Sequence, residues 1–216
     1  KTVSATFVHA PSPDGVEILS DALVAVDERG VIAKVVAAGA PGHAQAKAEA
    51  SAAGRLVTLP AGVLVLPGFV DLHIHAPQYP QLGKALDVPL EVWLQRHTFP
   101  LEARYSDVDF ARRIYPALVG DLLDNGTTTA VYFATIHEAA TKALVDACLE
   151  RGQRAFVGKV AMDNPEECPP FYRDASVEAG LAGTRAVIDY VRAHPGNRSG
   201  LVEPVDVGGP EGTTWA

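Results

Sequence analysis

The sequence predicts an α/β fold in which a small β-rich region precedes a parallel βα region. After residue 67, short apolar segments alternate with segments of helical periodicity, the pattern of strands joined by crossover helices. Before that point, several short apolar runs are separated by turn residues. The chain has 216 residues and is 48% hydrophobic, which is enough to bury a sizeable core.

The first region contains four short apolar segments typical of strands. These predicted strands are residues 2–9, 22–26, 31–36 and 56–59. Glu28-Arg29-Gly30 predicts a hairpin turn between the second and third of them. The Ala-rich residues 42–54 fit either a loose helix or a surface loop.

The second region opens on a predicted strand that ends in polar side chains. Residues 63–66 read as a short strand and Pro67-Gly68 as a bend. Residues 69–74 read as a fully buried strand of the parallel type, because both of its faces are apolar.

Three helices and three strands are predicted further along. The helices are residues 106–124, 137–151 and 176–193, and the strands are residues 127–133, 154–160 and 201–207. The first helix begins with Ser106 and Asp109 in positions that resemble a capping box, and Asn125-Gly126 provides a C-terminal stop. Gly152 closes the second helix.

Composition disfavours several classes of partner. The formal net charge of −8 and the lack of a basic run argue against binding to nucleic acid or an anionic membrane. No apolar stretch approaches the roughly 20 residues that span a bilayer. Cys148 and Cys168 form no Cys-x-x-Cys pair, so buried, reduced thiols in a cytoplasmic protein are expected rather than a disulfide or a second metal site.

His73 and His75 have the spacing of two metal ligands on one strand. Side chains at i and i+2 leave the same face of a strand, so both imidazoles can bind one zinc ion at about 2.0–2.1 Å. Asp71 projects to the same face. These residues fall at the C-terminal end of their strand, where the chemistry of a βα barrel is assembled.

Several motifs together resemble the amidohydrolase superfamily, and within it the guanine deaminases. The first is Pro67-Gly68-Phe69-Val70-Asp71-x-His73-x-His75, which resembles the end of the first barrel strand in that superfamily. Others follow in the family's order: His75-Ala76-Pro77-Gln78-Tyr79, and segments within residues 93–102, 125–130, 132–137 and 152–160. The likeness covers residues 56–204.

The resemblance implies a partial TIM-type (β/α)8 barrel preceded by a small β-sandwich-like domain. It sets the boundaries at residues 1–66 for the small domain, 67–204 for the first half of the barrel, and 205–216 for a divergent C-terminal tail. A whole barrel takes about 250 residues, so residues 67–216 hold about half of one.

The resemblance also implies a zinc-dependent hydrolytic deamination of guanine to xanthine and ammonia. His73 and His75 would bind the single zinc ion, and Gln78, together with His75, would contact the base. The remaining histidines and the acidic groups that move protons in the family are expected beyond the end of this chain, so no catalytic residue is expected in it and it is expected to be inactive alone. A homodimer is implied for the full-length parent.

Three further residues have weaker functional signals, and two other functions fit the sequence. His137 fits a helix cap better than a metal ligand. His97 fits a solvated helix face as well as a pocket wall. Lys159 is expected to pair with a carboxylate such as Asp163 rather than to bind metal. The alternative functions are a non-catalytic interaction module, and another deaminase or chlorohydrolase of the superfamily acting on cytosine, adenosine-like or triazine substrates.

Overall fold

The computed structural model describes residues 1–206, which divide into two compact units. The first unit is Lys1–Pro67, and the second begins at Gly68. Val207, the last residue of the final predicted strand, and most of the predicted tail lie outside the described residues. Within residues 1–206, no helix combines the length and the hydropathy needed to cross a membrane.

The first unit is one five-stranded sheet with a helix. Its elements are β1 (Thr2–Ser12), β2 (Gly15–Val26), β3 (Ile32–Val36), α1 (His43–Ala52), β4 (Leu56–Thr58) and β5 (Leu64–Val65). The strand order is β3-β2-β1-β4, and β5 also pairs with β1. The described residues of this unit form a single sheet, where the family resemblance predicted a sandwich-like pair of layers.

Most of the predicted elements of this unit are present, and the Ala-rich segment is a helix. The strand predicted at residues 22–26 is longer than expected, because β2 starts at Gly15 and continues past a left-handed residue, Asp21, with φ 44°. The predicted turn at residues 28–30 joins β2 to β3. Asp27 stabilises it by accepting hydrogen bonds from the Arg29 and Val31 amides, both at 2.9 Å.

The second unit has four parallel strands in sequence order, joined by helices. The strands are β6 (Phe69–His75), β7 (Thr127–Phe133), β8 (Arg154–Gly158) and β9 (Val202–Pro204). The helices are α2 (Leu90–Trp93), α3 (Phe99–Glu102), α4 (Val108–Asp124), α5 (Glu138–Arg151) and α6 (Val177–Ala193). A π-helical turn, Leu94–Thr98, joins α2 to α3. The predicted α/β fold and partial barrel are confirmed.

The start of β6 depends on two glycines. A Cβ atom at Gly68 would lie 1.9 Å from Thr128 Oγ1, so only glycine lets the chain pass this close to β7. Gly126, which ends α4, has φ +89° and its missing Cβ leaves room for the Phe69 ring. The α4 N-cap is Asp107, whose side chain accepts from the Asp109 amide at 2.9 Å, so the predicted cap at Ser106 is wrong by one residue.

The prediction that β6 is fully buried is wrong for its first five residues, which are all exposed. Phe69, Val70 and Leu72 are 68%, 60% and 69% exposed. The reason is that β6 pairs with β7 on one side and with no described strand on the other. The strand therefore has the composition of an interior strand and the position of an edge strand.

The main core lies between the sheet and α4, α5 and α6. This core contains a buried polar pair, Tyr132 and Gln153. Tyr132 donates to Gln153 Oε1 at 2.6 Å, and Gln153 Nε2 donates to the Thr127 carbonyl at 3.0 Å. Cys148 and Cys168 are free and buried, as predicted. A smaller apolar cluster, built around Phe99 and Tyr172, lies beyond the C-terminal ends of the strands.

A buried ion pair holds the segment that follows β8. Lys159 Nζ lies 3.0 Å from Asp174 Oδ1, and Asp174 Oδ2 accepts from the Met162 amide at 2.9 Å. The prediction that Lys159 pairs with a carboxylate is confirmed, but the partner is Asp174 rather than Asp163. α6 can pack against the lysine because Gly183 has no side chain: a Cβ there would lie 2.8 Å from Lys159 Cε.

Replacing Asp174 by alanine should strongly destabilise the chain, because it leaves the buried Lys159 ammonium without its carboxylate. We expect the free energy of unfolding, measured by urea denaturation, to fall by about 3–5 kcal/mol. Arg112→Ala breaks the exposed pair with Asp109 and is the control, with little change expected. A loss below about 1 kcal/mol in Asp174→Ala would contradict the assignment of a desolvated pair.

Candidate functional site

The imidazoles of His73 and His75 converge at the C-terminal end of β6. Their Nε2 atoms are 3.1 Å apart, and the ring centroids are 5.0 Å apart. Two nitrogens bound to one zinc ion at 2.0–2.1 Å with a tetrahedral angle would be about 3.3 Å apart. The rings therefore have the spacing that sharing one ion requires.

Phe133, the last residue of β7, packs against both rings. Its centroid lies 4.3 Å from that of His73 and 5.1 Å from that of His75. The register of the parallel pair brings them together, because His75 lies opposite Phe133. The aromatic ring limits the rotation of both imidazoles and keeps their Nε2 atoms facing each other.

Burial sets the protonation state of His75. Desolvation lowers its pKa, and the neighbouring His73 lowers it further. A lowered pKa keeps the imidazole neutral at neutral pH, which is the form that binds a metal.

Asp71 does not complete a ligand set with the two histidines. Its Oδ1 atom accepts from the His73 backbone amide at 3.0 Å, which ties the carboxylate to its own strand. Among residues 1–206, no three His, Cys, Asp or Glu side chains are close enough to share a metal ion. The described part of the chain thus offers two ligands, whereas a catalytic zinc site normally has three from the protein.

A cavity of about 580 Å³ lies at the edge of β6. Both histidines line it together with Gln78 and Tyr79, and part of α4 closes its other side. Tyr79 donates a hydrogen bond to Asp121 across this cavity, which connects the turn after β6 to α4. The predicted site residues His73, His75 and Gln78 therefore share one cavity wall.

Gln78 is bound to a buried carboxylate. Its Nε2 donates to Glu102 Oε1 at 2.9 Å, and Tyr172 donates its hydroxyl to Glu102 Oε2 at 2.6 Å. Glu102 is only 5% exposed. Burial raises the pKa of this carboxyl, and the hydrogen bonds from Tyr172 and Gln78 oppose that shift.

His97 and His137 lie away from the converging pair. His97 is exposed on the π-helical turn, which agrees with a solvated helix face. His137 occupies the N-cap position of α5, but its side chain makes no capping hydrogen bond. Its buried Nε2 has no hydrogen-bond partner among the described residues. Desolvation first and Lys159 second lower the pKa of His137.

Sequence reasoning assigned no role to Phe133, Glu102 or Tyr172. Phe133 had a usable signal, since it ends a predicted strand adjacent to that of the histidines. Glu102 ends one of the segments that resemble the family, residues 93–102, but its contact with Tyr172 had no sequence signal, because 70 positions separate the two residues.

The sequence of this chain is similar to those of known amidohydrolases. Residues 64–215 match the model of the amidohydrolase family. Human guanine deaminase is 37% identical over 199 residues, which cover 92% of this chain and 43% of the human protein. The chain therefore spans less than half the length of this relative.

Two solved structures are similar over nearly the whole chain. Guanine deaminase from C. acetobutylicum, with guanine bound in its active site, superimposes with a TM-score of 0.81 at 30% identity, covering 95% of this chain and 45% of the other. E. coli guanine deaminase superimposes with a TM-score of 0.75 at 28% identity, covering 94% of this chain and 44% of the other.

Replacing Glu102 by glutamine should change how stability depends on pH. The pKa of Glu102 in the folded state is raised above 4.5, so the folded state binds this proton more tightly than the unfolded state does. The bound proton therefore contributes fully to stability below pH 4.5, and this contribution is lost as the pH rises through the folded pKa. The amide of Glu102→Gln carries no charge at any pH. The variant should therefore gain stability relative to wild type as pH rises.

This gain is measured as the difference between the two free energies of unfolding from about pH 4 to about pH 8. Other titrating groups are common to both proteins and cancel in the difference. A difference that stays constant across this range would contradict a raised pKa for Glu102.

Proposed function

This chain belongs to the amidohydrolase family, and from that premise we propose that it carries the first metal ligands and a base-binding residue of a guanine deaminase. Proteins of this family are generally metal-dependent hydrolases. The chain spans about 45% of the length of the guanine deaminase with bound guanine. The activity is therefore proposed for the complete site rather than for this chain alone.

The observation that carries the proposal is the approach of the His73 and His75 Nε2 atoms to 3.1 Å, on the same cavity wall as Gln78. This arrangement unites a ligand pair with a carboxamide that has both donor and acceptor atoms. A neutral purine presents N–H groups beside acceptor atoms, which is the complement of such a carboxamide. The names of the relatives support guanine as that purine.

Each residue has a distinct role in this proposal. His73 and His75 would hold one zinc ion, which supplies Lewis-acid activation of the attacking water when it is bound. Phe133 holds the two imidazoles in place. Gln78 orients the base so that the carbon bearing the exocyclic amine faces the histidines. As the family resemblance implies, acidic groups from the remainder of the complete site would transfer protons to the leaving ammonia.

Three finer points remain part of this proposal. The cytoplasmic location is supported by the two buried, free cysteines. The absence of a nucleic-acid or anionic-membrane partner is supported by the net charge of −8. Homodimerisation of the full-length parent rests on the family resemblance alone.

A second candidate function is an interaction module, and the exposed edge of β6 favours it. Phe69, Val70 and Leu72 are apolar and exposed on β6, whose outer edge pairs with no strand among residues 1–206. Such an edge promotes association with other chains. Oligomers that form without zinc and without any effect of guanine on their stability would favour this function over the enzymatic one.

Metal binding tests the role of the two histidines directly. We expect His73→Ala and His75→Ala each to weaken zinc binding by roughly tenfold or more, because each removes one of only two ligands. Zinc affinity is measured by titration calorimetry on the full chain. His97→Ala is the matched control, since His97 is an exposed histidine outside the pair, and it should leave the affinity unchanged. Equal affinities in all four proteins would overturn the assignment.

Guanine turnover tests the proposed activity. The chain alone should convert no guanine, because its described ligand set is incomplete. A chimera in which this chain replaces the aligned part of E. coli guanine deaminase should convert guanine to xanthine, followed by ultraviolet absorbance. His73→Ala in the chimera should lower kcat roughly a hundredfold or more.

Two results would contradict the proposal. Turnover by the unmodified chain would show that its site is complete. A folded, zinc-loaded chimera that deaminates cytosine or dechlorinates a triazine but leaves guanine intact would assign the chain to another branch of the family.

A further inference from the structure

Glu102 is a buried carboxylate whose neighbours are hydrogen-bond donors rather than cations. It ends α3 and is 5% exposed. The ion pairs formed within residues 1–206 do not include it. Burying a charge without a cation is costly unless hydrogen bonds compensate it, so the protein retains this group at a cost to stability. Such a cost points to a role beyond packing.

The carboxylate decides which way the Gln78 amide faces. When Glu102 is ionised, its carboxylate only accepts hydrogen bonds, so the group that Gln78 turns towards it must be its NH2. The 2.9 Å contact between Gln78 Nε2 and Glu102 Oε1 has this polarity. The Gln78 carbonyl oxygen then points away from Glu102.

Tyr172 holds the other carboxylate oxygen and connects it to β7. It donates its hydroxyl proton to Glu102 Oε2 at 2.6 Å. Its oxygen is then left to accept from the Thr135 hydroxyl at 3.0 Å and from the Ile136 amide at 3.4 Å. Thr135 and Ile136 follow Phe133, the residue that packs on the histidine pair. The orientation of Gln78 is thus fixed relative to the same strand end that positions the histidines.

We propose that Glu102 is a positioning residue that locks the Gln78 carboxamide with its carbonyl oxygen towards the ligand. As far as the ligand is concerned, this inference rests on the proposed function. The locked amide offers one acceptor and one remaining N–H donor. That pair matches a purine edge on which an exocyclic amino group lies beside a ring nitrogen. Guanine has such an edge, and hypoxanthine lacks the amino group, so Glu102 acts as an indirect determinant of specificity.

The orientation can be tested without any ligand by recording the side-chain amide region of a ¹H–¹⁵N correlation spectrum of the full chain. The sequence contains five glutamines and three asparagines, so few signals compete. The Gln78 pair is identified by its absence in Gln78→Met. One of its two protons should be shifted downfield by the carboxylate in wild type, and this shift should be lost in Glu102→Leu.

Two control variants separate this role from general packing. Thr98→Val removes the acceptor of Gln81, which donates to Thr98 Oγ1 at 2.8 Å between the same two segments. It should move the Gln81 signals and leave those of Gln78 in place. Tyr172→Phe removes the other donor to Glu102 and should leave the Gln78 shift present. If Glu102→Leu does not fold, Glu102→Asp serves instead, because its shorter side chain withdraws the oxygens from Gln78.

The inference is overturned if the Gln78 protons of a folded Glu102→Leu or Glu102→Asp protein keep the wild-type shift, or if Thr98→Val abolishes it equally. The chimera with E. coli guanine deaminase tests whether Glu102 affects the binding of guanine. There, Glu102→Leu should raise KM for guanine by about three- to tenfold, the worth of one hydrogen bond, with kcat little changed.

The spectrum and the kinetics of the chimera test the role of Glu102 and the proposed function independently. A chimera that converts no guanine refutes the proposed function, whereas the spectrum still decides whether Glu102 orients Gln78. An active chimera whose KM does not respond to Glu102→Leu refutes the specificity role.

Discussion

The parallel pairing of β6 with β7 is the constraint on which the candidate site depends. It starts at Gly68, where any side chain would collide with Thr128, and it ends with His75 opposite Phe133. This register gives the two imidazoles an aromatic wall and brings their Nε2 atoms together. The turn that carries Gln78 begins directly after the strand, so its position follows from the same pairing. One glycine and one strand register therefore position three side chains of the candidate site.

Sequence patterns succeeded wherever a local signal decided the structure. β7 has the predicted bounds because Gly126 stops α4 and a β-branched run follows. The His73 and His75 pair converges because side chains two positions apart on a strand share a face. Patterns failed where distant contacts decide. The strand predicted to reach residue 160 ends at Gly158, because Lys159 turns into the protein to pair with Asp174. Glu102 is the clearest case, since its burial and its hydrogen bonds depend on Tyr172.

Glu102 and Lys159 illustrate two ways of burying a charge near the ends of parallel strands. Lys159 has a carboxylate partner, so its role in holding the segment after β8 is explained by the contact itself. Glu102 has only neutral hydrogen-bond donors, and burial raises its pKa although Tyr172 and Gln78 donate to it. A group that only stabilised the fold would be better replaced by a neutral amide. Its fixed acceptor polarity is what an amide lacks, because an amide can present either end to Gln78.

The two incomplete features of the second unit lie along the same edge. β6 has the apolar composition of an interior strand, yet Phe69, Val70 and Leu72 are exposed and no described strand pairs with its outer edge. Among residues 1–206, the candidate metal ligands are two histidines on that same strand. Ligands of a barrel site come from the ends of several strands around one mouth. Because no described strand lies beside the outer edge of β6, its apolar side chains are exposed and its two histidines have no third candidate ligand among residues 1–206.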